Sequence, residues 1–315
     1  MECSIAPSKV LLFGEHFVVA GKPALGLAVA KYAKVCVEEG EGRVFSSQIG
    51  LISEGSAHRR LFDALFESFR ERYGISPRVN LYVDSEVPMS SGMGSSASVA
   101  VAAALSMLRH YGVEHTKEDA QRLAHEAEKA VHYKPSGVDT ALATHGGLIY
   151  YKQGLLKRLS ARLPQDAALL VVNTRVERST GAVVRDVLER YQRLGDAGAL
   201  IYSAAEALVE HALRYIESGD LEKLGELMLV NHGLLWAMGA SSRICDEVVY
   251  EMLEAGALGA KVSGAGRGGI VVGLYKAGDA ERALAALSRK GFEAFVARPD
   301  YEGVRPYNIK EPLRA

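Results

Sequence analysis

Apolar positions along this chain follow the helical period in some stretches and a strand-like pattern in others. Leu61, Leu65 and Phe69 recur at every fourth position, which predicts an amphipathic helix over 61–72. Residues 79–83 then predict a strand that delivers the chain to a glycine- and serine-rich stretch, 86–98. Behind it, residues 99–105 are apolar on nearly every side, the mark of a helix buried all round. Near the start, β-like runs at 10–13, 17–19 and 33–37 are broken at Gly14 and at Gly21-Lys22-Pro23, which predicts an antiparallel hairpin arrangement.

Thr116 with Asp119 three residues later is an N-terminal cap for a helix reaching about Val131, with Ala120, Leu123, Ala127 and Ala130 as its apolar stripe. Glu128 falls on the flank of that stripe and reads as a rim residue. Pro135 stops the helix, Ser136-Gly137 turns the chain, and Gly146-Gly147 precede an apolar strand. The polar, proline-containing stretch 157–165 is the best linker. Beyond it come a strand at 168–172 and helical patterns at 181–193, 199–218, 221–238 and 242–255. A second glycine-rich loop, 263–269, then lies between apolar runs 258–262 and 270–274, and helix and strand alternate once more to the end. With no repeat and no regular βαβ alternation, the pattern predicts an α+β architecture.

Composition narrows the class. The chain has 315 residues, enough for two domains, and 48% apolar with 24% charged residues is an ordinary globular balance. A net charge of −1 gives no reason to expect nucleic acid or an anionic membrane as partner. Cys3, Cys36 and Cys245 are widely spaced with no CxxC, which fits a reducing compartment and excludes a zinc-ribbon site. The start, MECSIAPSK, shows no secretory pattern, and the apolar runs are too short or too charged to span a bilayer, so a cytoplasmic protein is expected. Four Asn and five Gln against many Arg and Glu lean towards a heat-adapted source.

The chemistry suggested first is anion binding. The buried helix opens with unpaired N–H groups and the positive end of its dipole beside Gly92, Gly94, Ser95 and Ser96, where a phosphate chain could sit. A plain turn with a serine cap explains the same letters equally well. No GxxxxGK[ST] is present: Gly14 to Gly21-Lys22 has the wrong spacing and runs into Pro23. A GxSxG elbow is absent as well. Gly264-Ala265-Gly266-Arg267-Gly268-Gly269 satisfies GxGxxG, but the chain continues as the β-rich run IVVGLY and not as a helix, so a dinucleotide fingerprint is rejected. A close approach of ligand or backbone and a tight structural turn both remain open for that loop.

Three separated segments together resemble the GHMP kinase family, and within it the archaeal-type mevalonate kinase branch: APSKVLLFGEHFVVAGKPALGLAV (6–29), VPMSSGMGSSASVAVAAA (87–104) and KVSGAGRGGIVVGL (261–274). EKAVHYKPSGVDTALATHGG (128–147), RVERST (175–180) and NHGLLWAMGAS (231–241) fit the same branch, so the resemblance covers most of the chain. It implies a GHMP kinase two-domain fold, with a ribosomal-protein S5 domain 2-like N-terminal domain over 1–160 and a ferredoxin-like C-terminal domain over 161–315.

The resemblance further implies transfer of the ATP γ-phosphate to a small alcohol with Mg²⁺, the acceptor being the 5-hydroxyl of (R)-mevalonate. On this carry-over Pro88, Ser90, Ser91, Gly92, Met93, Gly94, Ser95, Ser96 and Ala97 cradle ATP. Ser96 and Glu128 are Mg²⁺ ligands, Asp139 is the general base with Lys9 beside it, and Glu15 and His16 lie near mevalonate. Serine hydroxyl and carboxylate are hard oxygen donors suited to Mg²⁺, and a carboxylate can take the proton of an attacking hydroxyl. The alternative for Lys9 and Asp139 is a structural ion pair. Arg178 and Lys22 are both conceivable partners for the substrate carboxylate. Arg267 interrupts a glycine run that is usually unbroken in the family: it either strains the backbone there or reaches a phosphate or carboxylate. Family habit implies a homodimer. The rival activities are those of phosphomevalonate kinase, mevalonate 3-kinase, diphosphomevalonate decarboxylase and homoserine kinase, or a nucleotide or metabolite sensor without turnover.

Overall fold

The computed structural model describes residues 1–87, 91–131 and 135–308. In chain order the first elements are β1 (Glu2–Phe13), β2 (Ala24–Glu39), β3 (Val44–Ser46), β4 (Gly50–Leu51), α1 (Arg59–Tyr73), β5 (Val79–Ser85), α2 (Ser95–His110), α3 (Lys117–Lys129), α4 (Val138–His145), β6 (Leu148–Lys152) and β7 (Leu155–Arg158). There follow β8 (Ala167–Asn173), α5 (Thr180–Leu194), α6 (Asp196–Ser218), α7 (Leu221–Ala237), α8 (Arg243–Glu254), β9 (Gly259–Ser263), β10 (Ile270–Lys276), α9 (Ala280–Arg289), β11 (Glu293–Val296) and β12 (Arg305–Pro306).

The first sheet has the order β12-β1-β2-β5-β3-β4, with β6 and β7 branching from β2. Its centre is the long antiparallel pair β1–β2, running from Glu2↔Val37 to Phe13↔Leu25 with register shifts between Pro7 and Ser8 and between Leu11 and Phe13. α2 is mostly alanine and valine, so it can lie close to its neighbours, and it is buried from Ala97 to Leu108 between the sheet and the other helices. Leu61, Leu65 and Phe69 of α1 close that core, as their spacing predicts.

The second sheet is antiparallel with order β11-β8-β10-β9. Alternation along β8 divides its two faces: Leu169 and Val171 share a core with Val10, Leu12, Phe13, Leu25 and Leu27 of the first sheet, whereas Leu170 and Val172 pack with Val183 of α5 and Val248 of α8. One continuous apolar layer therefore joins the two sheets. After β11 the chain crosses back, with Ala30 N–H donating to Arg298 at 2.7 Å and Val304 N–H to Thr144 at 3.1 Å. β12 then pairs with β1.

Three local expectations are corrected. Residues Phe17–Ala20 form a 3₁₀ turn and not a strand, because Gly14 and His16 both adopt positive φ and curl the chain there. On α3 it is Glu128 that is buried while Ala130 is exposed, since the helix ends at Lys129 and its last turn presents position 128 inward. Cys3 and Cys36 face each other across β1–β2 and form a disulfide, leaving Cys245 free and buried. Wide spacing along the chain hid that pair, and such bonds also occur inside cells of heat-adapted organisms, so the bond does not assign a compartment. Among the described residues, no helix is long and apolar enough to cross a membrane.

Candidate active site

α2 begins after Gly94, whose φ of 74° is a left-handed turn that glycine adopts without strain. No acidic side chain occupies the first turn, so the N–H groups of Ser95, Ser96 and Ala97 keep the positive field of the helix end. Ser91 and Met93 are buried, and Met93 offers its carbonyl to the Lys9 N–H at 2.9 Å. The loop is thereby tied to β1 by its backbone. Pro88 and Ser90 lie outside the described residues.

Lys9 on β1 and Asp139 in the first turn of α4 meet beneath this loop, with Nζ 3.2 Å from Oδ1. Lys9 is 6% exposed at its side chain and Asp139 37%, so the ammonium is enclosed while the carboxylate opens outward. A methyl group at Gly94 would stand 3.0 Å from Lys9 Cγ and 3.5 Å from Asp139 Oδ2. Only a glycine lets the loop lie so near the pair.

Glu128 reaches the same place from the end of α3. Burial, with Asp139 nearby, pushes its carboxyl up to about 8, against the opposing pulls of Lys9 and a hydrogen bond to Ser96. A buried carboxylate beside a second carboxylate and a serine hydroxyl is a hard-oxygen set that favours a divalent cation, which would offset the crowded negative charge. Among the described residues no group of three or more His, Cys, Asp and Glu could hold a metal ion. Mg²⁺ usually keeps several waters and binds through one or two carboxylates plus substrate phosphates. Ser96 and Glu128 therefore fit the group expected of them.

The two glycine loops touch. A Cβ on Gly264 would lie 3.3 Å from the Gly92 carbonyl oxygen, and one on Gly266 would lie 1.9 Å from that of Ala240. Arg178, from the segment before α5, sits between them, its Nε donating to Gly266 at 3.2 Å and its Nη2 reaching the Ser91 carbonyl at 3.5 Å. The 263–269 loop runs straight into β10, as a loop between strands.

Arg267 takes the strained option for its backbone, with φ 55°. Its guanidinium donates to the Gly239 carbonyl at 2.8 Å and pairs with Asp186 at 2.6 Å, so it is engaged by protein partners on α5 and the end of α7. Gly268 is also in the positive-φ region, and a Cβ there would meet the Val176 carbonyl at 2.5 Å. Lys22 is taken up by Glu206 at 2.7 Å, which leaves Arg178 as the cation of the two beside the phosphate loop.

Glu15 and His16 lie in the bend after β1 and face inward. The Glu15 carboxylate pairs with Lys261 of β9, both side chains being essentially inaccessible, and His16 Nε2 is 2.8 Å from the carbonyl of Ala265. Both side chains are buried, Glu15 at 1% and His16 at 5% exposure. Sequence reading passed over Lys261, although a lone lysine inside an apolar strand is a signal that could have found it.

Residues 60–147 match the GHMP kinases N terminal domain and residues 204–293 the GHMP kinases C terminal domain. The chain belongs to the GHMP kinase family, whose two-domain fold of mixed helices and sheets it shows. It is 40% identical to the mevalonate kinase of Aeropyrum pernix, covering 95% of this chain and 96% of that one. Its fold matches L. major mevalonate kinase in complex with R-mevalonate with a TM-score of 0.80 at 29% identity, over 94% of this chain and 95% of the other. The Streptococcus pneumoniae phosphomevalonate kinase in complex with phosphomevalonate and AMPPNP matches at TM-score 0.79 and 17% identity, over 95% of this chain and 100% of that one. That last likeness speaks for the fold alone.

Proposed function

We propose that this chain is an ATP-dependent kinase that phosphorylates the 5-hydroxyl of (R)-mevalonate, giving 5-phosphomevalonate and ADP. The observation that carries the reading is the Lys9–Asp139 pair, at 3.2 Å, directly under a glycine loop at the N-terminus of α2. The strong likeness to mevalonate kinases over nearly the whole chain selects the substrate.

The residues divide the work by their chemistry. Backbone N–H groups at the start of α2 hold the phosphates of ATP, with no competing carboxylate in that turn. Asp139 takes the proton as the hydroxyl O–H bond breaks; the oxygen forms its bond to the γ-phosphorus, and the bond to the β,γ-bridging oxygen breaks, leaving its electron pair on ADP. Lys9, enclosed and fixed by β1, stabilises the charge on oxygen and phosphoryl group in a poorly solvated place. Ser96 and Glu128 would hold Mg²⁺, which when bound neutralises phosphate charge. Arg178, between the loops, adds a fixed positive charge beside Gly92.

A non-catalytic sensor would need the phosphate loop but not an aligned base and ammonium. The test is wild-type turnover with mevalonate and ATP, with the product assigned by ³¹P and ¹³C NMR. Phosphate on the primary C5 oxygen is the expected result. Phosphate on the tertiary 3-hydroxyl, CO₂ release, or ATP binding without ADP formation would overturn it.

A further inference from the structure

We infer that Lys261 is a positioning residue for this reaction: from the second sheet it locks the bend after β1, through Glu15, and thereby fixes the acceptor side of the site. The inference rests on the mevalonate kinase reading and adds a residue to it. Lys261 is wholly buried, and its ammonium also donates to the Val262 carbonyl at 2.6 Å and reaches the Leu11 carbonyl at 3.5 Å. Two residues along the same strand, the Ser263 hydroxyl accepts from the Leu11 N–H at 2.9 Å and donates to its carbonyl at 3.1 Å. Position 11 is thus clamped from β9, two residues after Lys9.

A third element joins them. Asn231 of α7 places its Nδ2 3.5 Å from the second oxygen of Glu15. α7 can come near enough because Gly225 and Gly259 meet without side chains: a Cβ at Gly259 would stand 2.0 Å from the Gly225 carbonyl oxygen. Next to Glu15, His16 holds φ 60° and bonds to the Ala265 carbonyl, so its Nε2 carries the proton. Such a backbone persists only where surrounding contacts enforce it. Lys261 and Asn231 hold Glu15 just before it, and Ser263 holds Leu11 at the end of β1.

Strength alone does not explain a lysine here. Replacing a buried ion pair by apolar groups of like volume is often neutral or stabilising, so what the pair provides is one defined geometry for the bend. The pair also gives Glu15, 1% exposed, a partner of opposite charge within the protein.

The test compares wild type with Lys261→Met and with the double variant Lys261→Met plus Glu15→Leu. The single variant leaves a buried carboxylate unpaired and can fail to fold, whereas the double variant leaves no buried charge unpaired and keeps the test available. In the double variant we expect a wild-type-like melting temperature, a KM for mevalonate raised at least tenfold, and a KM for ATP within twofold of wild type. A folded double variant with an unchanged mevalonate KM would overturn the inference. Should wild type itself fail to turn over mevalonate, the functional reading falls and the lock is judged by hydrogen exchange at the Phe17 and Val18 amides, which donate to the Glu15 and Gly14 carbonyls within the bend. Release of the bend speeds their exchange at least tenfold in the double variant, and unchanged protection there would refute the lock.

Discussion

Lys9 and Asp139 are brought together from the first strand and the fourth helix, Nζ to Oδ1 at 3.2 Å, and the space above them is set by the missing side chain of Gly94. β1 fixes the lysine, because its neighbour contacts run along both β2 and the loop carbonyl of Met93. The N-terminal turn of α4 fixes the aspartate. Neither residue depends on a long flexible loop for its place.

Gly94→Ala is therefore expected to act on catalysis beyond its effect on stability. A side chain at φ 74° costs roughly 1 to 2 kcal/mol, and the new methyl would lie 3.0 Å from Lys9 Cγ and 3.3 Å from Cε. The lysine stem has to shift, and a small misplacement of a reacting group costs on the order of ten- to a hundredfold in rate. Steady-state kinetics and a melting curve check this: a lower kcat in a protein that still melts cooperatively is the expected outcome.

His16 gives the fold a defined acid sensitivity. Burial pulls its ring down to about 4 from the ordinary 6.5, the bond to Ala265 opposing in part. The unfolded chain takes up a proton as pH falls below 6.5 while the folded one refuses it until about 4, so stability is full above 6.5 and declines between those values. His16 is the centre of a tight turn at φ 60° and ψ −45°, closed by the Phe17 N–H donating to the Glu15 carbonyl at 2.6 Å, and His16→Asn keeps a short polar side chain there while removing the titration. Urea unfolding at pH 7.5 and 4.5 should show wild type losing roughly 2.5 kcal/mol more than the variant on acidification. An equal loss in both would count against a buried neutral His16.

Arg267→Gly separates the two readings of that residue. The structure commits the guanidinium to Gly239 and to Asp186, the latter pair being 37% and 50% exposed. An exposed pair contributes about 0 to 1 kcal/mol, similar in size to the relief of a non-glycine φ of 55°. The variant should keep both KM values and kcat within about twofold and melt within a few degrees of wild type. A rise of tenfold or more in either KM would restore the ligand-contact reading.

What the sequence disclosed, and what it hid, follows the range of the interactions. The buried α2 helix and the Thr116–Asp119 cap are local patterns, and the structure has both, with Thr116 N–H donating to Asp119 at 2.9 Å. Lys9 and Asp139 were reached through ordered motifs, because no periodicity links a strand residue to a helix turn so distant in the chain. Periodicity alone puts Glu128 at the rim although it is buried, since the spacing along α3 carries no knowledge of what packs on its last turn. Lys261 with Glu15, and Cys3 with Cys36, are pairings made by strand neighbours or by contact between the two sheets. Such contacts exist only once the layers are assembled, so local pattern could not show them.

The most direct check of the account is the rate of phosphoryl transfer in Asp139→Asn, measured with saturating ATP and mevalonate beside nucleotide binding by calorimetry. The amide keeps the size of the side chain but cannot take the hydroxyl proton. The account predicts ATP affinity within about threefold of wild type and kcat lower by on the order of 10² or more. An Asp139→Asn enzyme that turns over at the wild-type rate would contradict it.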